Sequence, residues 1–305
     1  MEQGQVSRTA LSSAFTRAYH AEHGSPKVFD DFLANRLLTE EESAQFTQFM
    51  LTTIQTLNPA AAAAFPDQTA TLEWMMQSSG ATPLILARSR YTEECLEEAI
   101  KQGVSQYVIL GAGMDTFAFR RPELVEQLQL FEVDHPATQT HKQRRLSDLA
   151  WDLPSRLHFV PVDFTRDSLA SALSVTPYNP LLPTLFSWLG VSYYLTRDEV
   201  FAALRDIAAI APAGSKVIFD YLDTDAFIPR KAAPRALGML WFTQQVGEPM
   251  KTGFDPLTLD ADLAGIGFRL HEDLSPMDIQ KRYFSGRIDH YRSCEHAHYA
   301  CIKVK

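Results

Sequence analysis

A short apolar strand running directly into a glycine turn restricts this chain more than any other feature. Residues 107–110 read Tyr-Val-Ile-Leu, and Gly111-Ala-Gly113-Met-Asp115-Thr follows at once. Glycine permits a sharp backbone turn and lets a ligand approach with no Cβ in the way. A Gly-x-Gly by itself fits either a cofactor site or a bare strand-to-helix turn. Asp134 shifts that balance. It closes the strand-like run Leu128 to Val133, 21 residues beyond Gly113, where a carboxylate can accept both hydroxyls of a ribose.

Around this turn, short apolar runs alternate with helical patterns, as a parallel sheet with covering helices requires. Strands are expected at Gln106–Leu110, about 128–134, Leu157–Pro161, Thr184–Trp188 and Lys216–Asp220, with weaker ones at about 268–271 and 298–304. Before the first lies a helix from about Thr92 to Lys101, with Leu96, Ala99 and Ile100 at helical spacing and Gly103 as its stop. Thr196-Arg-Asp-Glu199 is a capping box for a helix reaching about Ile210, ahead of Pro212-Ala-Gly214. The fold class is therefore α/β, a doubly wound sheet of seven strands. Two regions stand outside the alternation. Residues 1–87 are helical in pattern but broken by Gly24, Pro26, Pro59 and Pro66, and residues 222–256 make a long excursion between the fifth and sixth strands. The run Ala60–Ala64 fits a helix turn or a linker. The expected organisation is a helical N-terminal cover (1–87) and a main domain (88–305) with an insert at about 222–256. Both extra regions should lie over the sheet edge that carries Gly111, with Trp241 and Phe242 as pocket walls or as the insert's own core.

Composition removes several function classes. The 305 residues include 28 Lys and Arg against 37 Asp and Glu, a formal charge of −9, and the basic residues form no cluster. A nucleic-acid partner is therefore not expected. The longest uncharged stretches, such as Pro180 to Tyr194, contain Pro, Gly and polar residues and fall short of a membrane span. Glu2 and Gln3 precede Arg8 with no apolar run after them, which is unlike a signal peptide. Cys95, Cys294 and Cys301 cannot form a disulfide framework, and a reducing cytoplasm is expected.

The turn also narrows the ligand. A dinucleotide fingerprint would want glycine at position 116, which is Thr116, and no Gly-Lys-Ser or Gly-Lys-Thr occurs. A nucleoside without phosphates fits better. The third strand ends in Pro161-Val-Asp163-Phe164, which offers an acceptor for a purine amino group and an apolar wall for its ring. Asp163 could instead cap a helix starting near Asp167. Together with Asp134 and Gly111 it favours the ligand.

Four ordered segments carry a family resemblance. Ala87-Arg88-Ser-Arg90-Tyr91, Val108-Ile-Leu-Gly111-Ala-Gly113-Met-Asp115-Thr, Phe131-Glu-Val-Asp134-His-Pro136 and Val162-Asp163-Phe164 resemble the leucine carboxyl methyltransferase family, over about residues 88–222. That family includes bacterial polyketide O-methyltransferases. The resemblance implies a Rossmann-like class I methyltransferase fold with its last strand antiparallel, and S-adenosylmethionine as cofactor. It implies that Arg88 pairs with the methionine carboxylate and that Gly111 and Gly113 pass under the cofactor. Asp134 would hold the ribose, and Asp163 with Phe164 the adenine. The planar Arg fork matches a carboxylate; otherwise Arg88 and Arg90 are solvated surface charges near a helix start. One position departs from the pattern. Protein-modifying members have Glu and a small residue after the fourth strand, where this chain has Trp188-Leu189-Gly190-Val191. Leu189 cannot accept a hydrogen bond, which turns the expectation from a protein C-terminal leucine toward a small molecule.

Methyl transfer to oxygen needs alignment more than a nucleophile. A carboxylate acceptor, with a reference pKa of about 4, needs no base at neutral pH, whereas a phenol near about 10 gains from one. His135 lies too close to the expected ribose to be that base, and His290 falls near the chain end. His296 and His298 should share a strand face, and with Glu295 they lack a third ligand at a metal spacing; no metal is expected. Tyr193 and Tyr194 either meet the acceptor or belong to the core. The expected activity is S-adenosylmethionine-dependent O-methylation of a small-molecule carboxylate or phenol. The rivals are a nicotinamide oxidoreductase, against which Thr116 counts, and a non-catalytic scaffold that keeps the cofactor pocket.

Overall fold

The computed structural model of the chain describes residues 6–305, so Glu2 and Gln3 lie outside the described residues. Seven strands form one sheet: β1 Gln106–Leu110, β2 Gln129–Asp134, β3 Leu157–Pro161, β4 Thr184–Trp188, β5 Lys216–Leu222, β6 Phe268–Leu274 and β7 Ala297–Val304. Their order is β3-β2-β1-β4-β5-β7-β6. The first five are parallel, and β7 runs antiparallel between β5 and β6. The chain winds outward from β1 to β3 and then returns to β4 beside β1. That reversal opens a crevice at the carboxyl ends of β1 and β4, where doubly wound sheets bind ligands.

The longer helices are α1 Arg8–His23, α2 Glu40–Leu57, α3 Gln68–Ser78, α4 Ala81–Lys101, α5 Pro136–Asp148, α6 Arg197–Ile210 and α7 Pro234–Gln245. The capping box at Thr196 and Glu199 is formed and opens α6 as the sequence predicts. In contrast, α4 begins eleven residues before the expected Thr92. Pro83 falls in its first turn, where no intrahelical N–H is required. Leu84, Ile85, Leu86 and Ala87 are all buried, so this half of the helix shows no single apolar stripe. The alanine-rich run contains one short helical piece, Pro59–Ala62, capped by Asn58.

Alternation along β1 divides the core between the two faces of the sheet. Tyr107 and Ile109 pack with Leu86, Tyr91 and Leu96 of α4, while Val108 and Leu110 pack with Val200, Leu204 and Ile207 of α6. A third cluster joins Phe15, Leu37, Leu72 and Met76 of the N-terminal helices to Met114, the residue after the glycine turn. Polar bonds reinforce that junction. Arg17 Nη2 donates to the Met114 carbonyl at 2.7 Å, Arg17 Nε pairs with Asp31 at 2.8 Å, and Asp31 accepts from the Thr116 hydroxyl at 2.5 Å. The start of α1 is tied to the insert as well. Glu248 accepts from the Ser7 hydroxyl at 2.9 Å, the Arg8 amide at 2.8 Å and both the amide and hydroxyl of Thr9. The N-terminal helices and the insert thus meet each other above the edge that carries Gly111.

Candidate active site

A cavity of about 800 Å³ lies where β1 and β4 end. It brings together Arg88, Gly111, Gly113, Asp134, Asp163, Phe164, Tyr193 and Tyr194, the residues singled out from sequence. Its far wall comes from the N-terminal helices and the insert, including Phe46, Phe49, Trp74, Trp241, Phe242 and Glu248.

Gly111 and Gly113 have φ of +71° and +52°, backbone that L side chains rarely adopt. A Cβ on Gly111 would stand 2.3 Å from Val191 Cγ2, and one on Gly113 would stand 3.1 Å from the Ala10 methyl. The turn after β4 therefore presses on the turn after β1, and α1 rests on the latter. Asp134 accepts from the Gly113 amide with one oxygen and from the His135 amide, at 2.6 Å, with the other. Burial raises its carboxyl above the ordinary range, and those two amides oppose the rise. Behind the turn, Lys142 of α5 bonds Glu132 at 2.5 Å and the Asp115 carbonyl at 2.6 Å. Glu132 and Lys142 are each 1% exposed. Burial pushes the Glu132 carboxyl up to about 7 against the pull of Lys142, with Asp115 and Asp134 adding to the rise.

Arg88 is buried in the middle of α4, which corrects the reading of it as a surface charge near a helix start. Its Nη1 donates to Asp220 at 2.7 Å and to the Tyr193 hydroxyl at 2.8 Å. Burial disfavours the guanidinium charge, but Asp220 and Tyr193 outweigh it and hold the pKa raised. Arg90 is more exposed and pairs with Glu94 at 2.8 Å, as a surface charge would. Asp220 was not anticipated. Its second oxygen accepts from the Gly190 amide at 2.6 Å, and its carbonyl accepts from the Ser192 hydroxyl at 2.7 Å. A sequence signal did exist, because the apolar run Val-Ile-Phe meets an acid at Asp220 as Phe-Glu-Val does at Asp134, although β5 runs on to Leu222.

Asp163 reaches the cavity edge while accepting from the Thr165 amide at 3.0 Å, the Thr165 hydroxyl at 2.6 Å and Arg166 at 2.9 Å. Burial works to raise its carboxyl, but Thr165 and Arg166 hold it below the ordinary range. The following helix starts only at Leu169, under Ser168, so Asp163 caps the intervening turn and not that helix. The Phe164 ring lies 6.0 Å from Trp188, and Tyr194 sits edge-on to Tyr193 at 4.8 Å. Burial raises both tyrosine hydroxyls, Tyr193 to well above its usual value. His296 and His298 do not act together. His296 precedes β7 and bonds Asp223 at 2.8 Å, whereas His298 stacks on Tyr221 at 4.9 Å. Among the described residues, no group of three His, Cys, Asp or Glu side chains is placed to hold a metal.

This donor set suits a nucleoside that bears an amino acid. Each Asp134 oxygen has one backbone donor and keeps capacity for a hydroxyl. Arg88 keeps Nη2 beside Gly190, and Phe164 and Leu189 supply apolar wall. The leucine carboxyl methyltransferase family model matches residues 10–208. The chain belongs to that family. It is 40% identical over 307 aligned positions to YktD of Bacillus subtilis (strain 168), covering 98% of both chains, and YktD is named for an inferred S-adenosyl-L-methionine-dependent methyltransferase activity. A Streptomyces avermitilis relative named in the same way is 32% identical over 54% of this chain and 59% of its own length. Among solved structures, one described as an inferred methyltransferase of Thermobifida fusca YX aligns with a TM-score of 0.56 at 14% identity, over 95% of this chain and 94% of that one. A DUF574-family protein of Streptomyces avermitilis MA-4680 aligns with a TM-score of 0.55 at 15% identity, over 79% and 91%. These likenesses speak for the fold: a class I methyltransferase-like α/β sheet of seven strands.

Proposed function

We propose that the protein moves a methyl group from S-adenosylmethionine to an oxygen of an apolar small molecule, a carboxylate or a phenol. The observation that carries this reading is the convergence of eight sequence-selected residues on one cavity at the β1/β4 reversal. When bound, the cofactor supplies a methyl carbon activated by a positive sulfur. The chain's own part is to grip and align. Arg88 takes the amino-acid carboxylate, Asp134 the ribose hydroxyls, and Phe164 with Asp163 the base. Phe46, Trp74, Trp241 and Phe242 exclude water from the acceptor end and favour an acceptor with apolar bulk. The groups there are poorly suited to removing a proton, because Tyr193 and Tyr194 retain theirs and Glu248 already receives four hydrogen bonds. That favours an acceptor already ionised at neutral pH, which a carboxylate is. The unpaired thiols of Cys95, Cys294 and Cys301 support a reducing cytoplasm as its place of work.

Calorimetric titration with S-adenosylmethionine and its demethylated product tests the cofactor. Binding is expected, and Asp134→Ala should weaken it by about 1–3 kcal/mol through unpaired ribose hydroxyls. No heat with either, alongside binding of a nicotinamide dinucleotide, would overturn the reading. Turnover on a panel of apolar acids and phenols between pH 6 and pH 9 tests the acceptor. A flat profile is expected for an acid, and transfer only to amines or thiols refutes O-methylation.

A further inference from the structure

The side chain of Asp220 is wholly buried, yet no step above uses it. It stands on β5, one strand beyond the β1/β4 crevice, and its partners come from two separate parts of the chain, α4 and the turn after β4. Arg88 of α4 donates to one oxygen, and the amide of Gly190, in the turn after β4, donates to the other. The hydroxyl of Ser192 donates to its carbonyl. The guanidinium lies flat against Gly190, so close that a Cβ there would stand 2.5 Å from Nη2. Nη1 is held twice, by Asp220 and by the Tyr193 hydroxyl. With that nitrogen fixed the plane of the guanidinium cannot swing, and Nη2 stays at the cavity wall.

We propose that Asp220 is the positioning residue for Arg88: it clamps Nη1 and the Gly190 turn together so that Nη2 meets the carboxylate of an amino-acid-bearing nucleoside. This rests on the reading that Arg88 takes that carboxylate. A staple between α4 and β5 would require only one Asp220 oxygen on Arg88. Placing the second oxygen on Gly190 links the arginine to the turn that presses on Gly111, so one carboxylate sets two walls of the same subsite. Asn at 220 keeps the shape but offers a single acceptor and turns an NH₂ toward one of the two donors. A buried Arg also loses its counter-charge, a situation that drives local rearrangement.

The test compares two ligands that share the adenosine sulfur unit, S-adenosylhomocysteine with the α-carboxylate and 5′-methylthioadenosine without it. Asp220→Asn should weaken the first by about tenfold or more and leave the second within about twofold. Tyr193→Phe, which removes only the other acceptor on Nη1, should give a smaller loss of the same selectivity, and it decides the matter if the Asn variant fails to fold. Equal loss for both ligands, or loss for neither, overturns the proposal. Arg88→Met separates this from the underlying reading. If it too fails to discriminate between the ligands, the carboxylate role of Arg88 falls; if it discriminates and Asp220→Asn does not, only the positioning role falls.

Discussion

Replacing Lys142 by Met should destabilise the protein in a way that grows with pH. Lys142 and Glu132 are buried together 2.5 Å apart, and Lys142 also holds the Asp115 carbonyl at 2.6 Å. Burial lifts the Glu132 carboxyl from 4.5 to about 7 even with Lys142 beside it. Because the folded state then binds more protons than the unfolded one, wild-type stability falls as pH rises from about 4.5 and levels off above about 7. Without Lys142 the folded carboxyl rises further, so the fall continues past pH 7 at up to about 1.4 kcal/mol per pH unit. At pH 5.5 Glu132 is mostly protonated in both proteins, and the gap reduces to the lost Asp115 bond, about 1 kcal/mol. At pH 8.5 the added term is about 2 kcal/mol, for a gap of about 3 kcal/mol. At roughly 2 °C per kcal/mol for a domain of this size, thermal unfolding should show Tm differences of about 2 °C and about 6 °C. A gap of the same size at both pH values would refute the argument, since it would mean that Glu132 does not titrate in response to Lys142.

Two other substitutions probe the frame of the site. Gly190→Ala places a methyl 2.5 Å from Arg88 Nη2 on a backbone with φ of +72°; a loss of about 1–3 kcal/mol of stability in denaturant titration is expected, and a neutral result would mean the guanidinium is free to move aside. Glu248→Gln halves the acceptor capacity that holds the first turn of α1, so hydrogen exchange at the Arg8 and Thr9 amides should quicken about tenfold while β1 is unaffected, and unchanged exchange would show that Ser7 alone secures that turn.

How much could be read in advance depended on where each element sits. The bounds of β1, β3 and β4 were legible to the residue, since short apolar runs between turn residues leave little choice. The edge strand β6 ran three residues past its expected end, because Glu272 and Asp273 break the apolar signal ahead of Leu274. The first half of α4 was hidden for the opposite reason, being apolar on every side. Within the site, Asp134 could be found because its partner, the glycine turn, is close in sequence. Asp220 likewise follows an apolar run, but its partner Arg88 lies 132 residues away, and only folding brings them together. Glu248 had no signature at all. It follows α7 in a stretch without periodicity, and its partners, two amides and the hydroxyls of Ser7 and Thr9, lie about 240 residues away.

The clasp between Glu248 and residues 7–9 has a further consequence for how the protein comes into being. Its two halves are separated by about 240 residues, so the opening stretch leaves the ribosome long before its partner is made. β1 and β4 are both made before the insert, so the part of the cavity wall that the insert supplies is added after the strands that open the crevice. Until Glu248 is in place, the first turn of α1 lacks the carboxylate that holds it against the insert, and the two covers of the cavity have nothing joining them there. Shelter of the cavity from water therefore waits on the chain as far as Glu248, however much of the sheet is already in place.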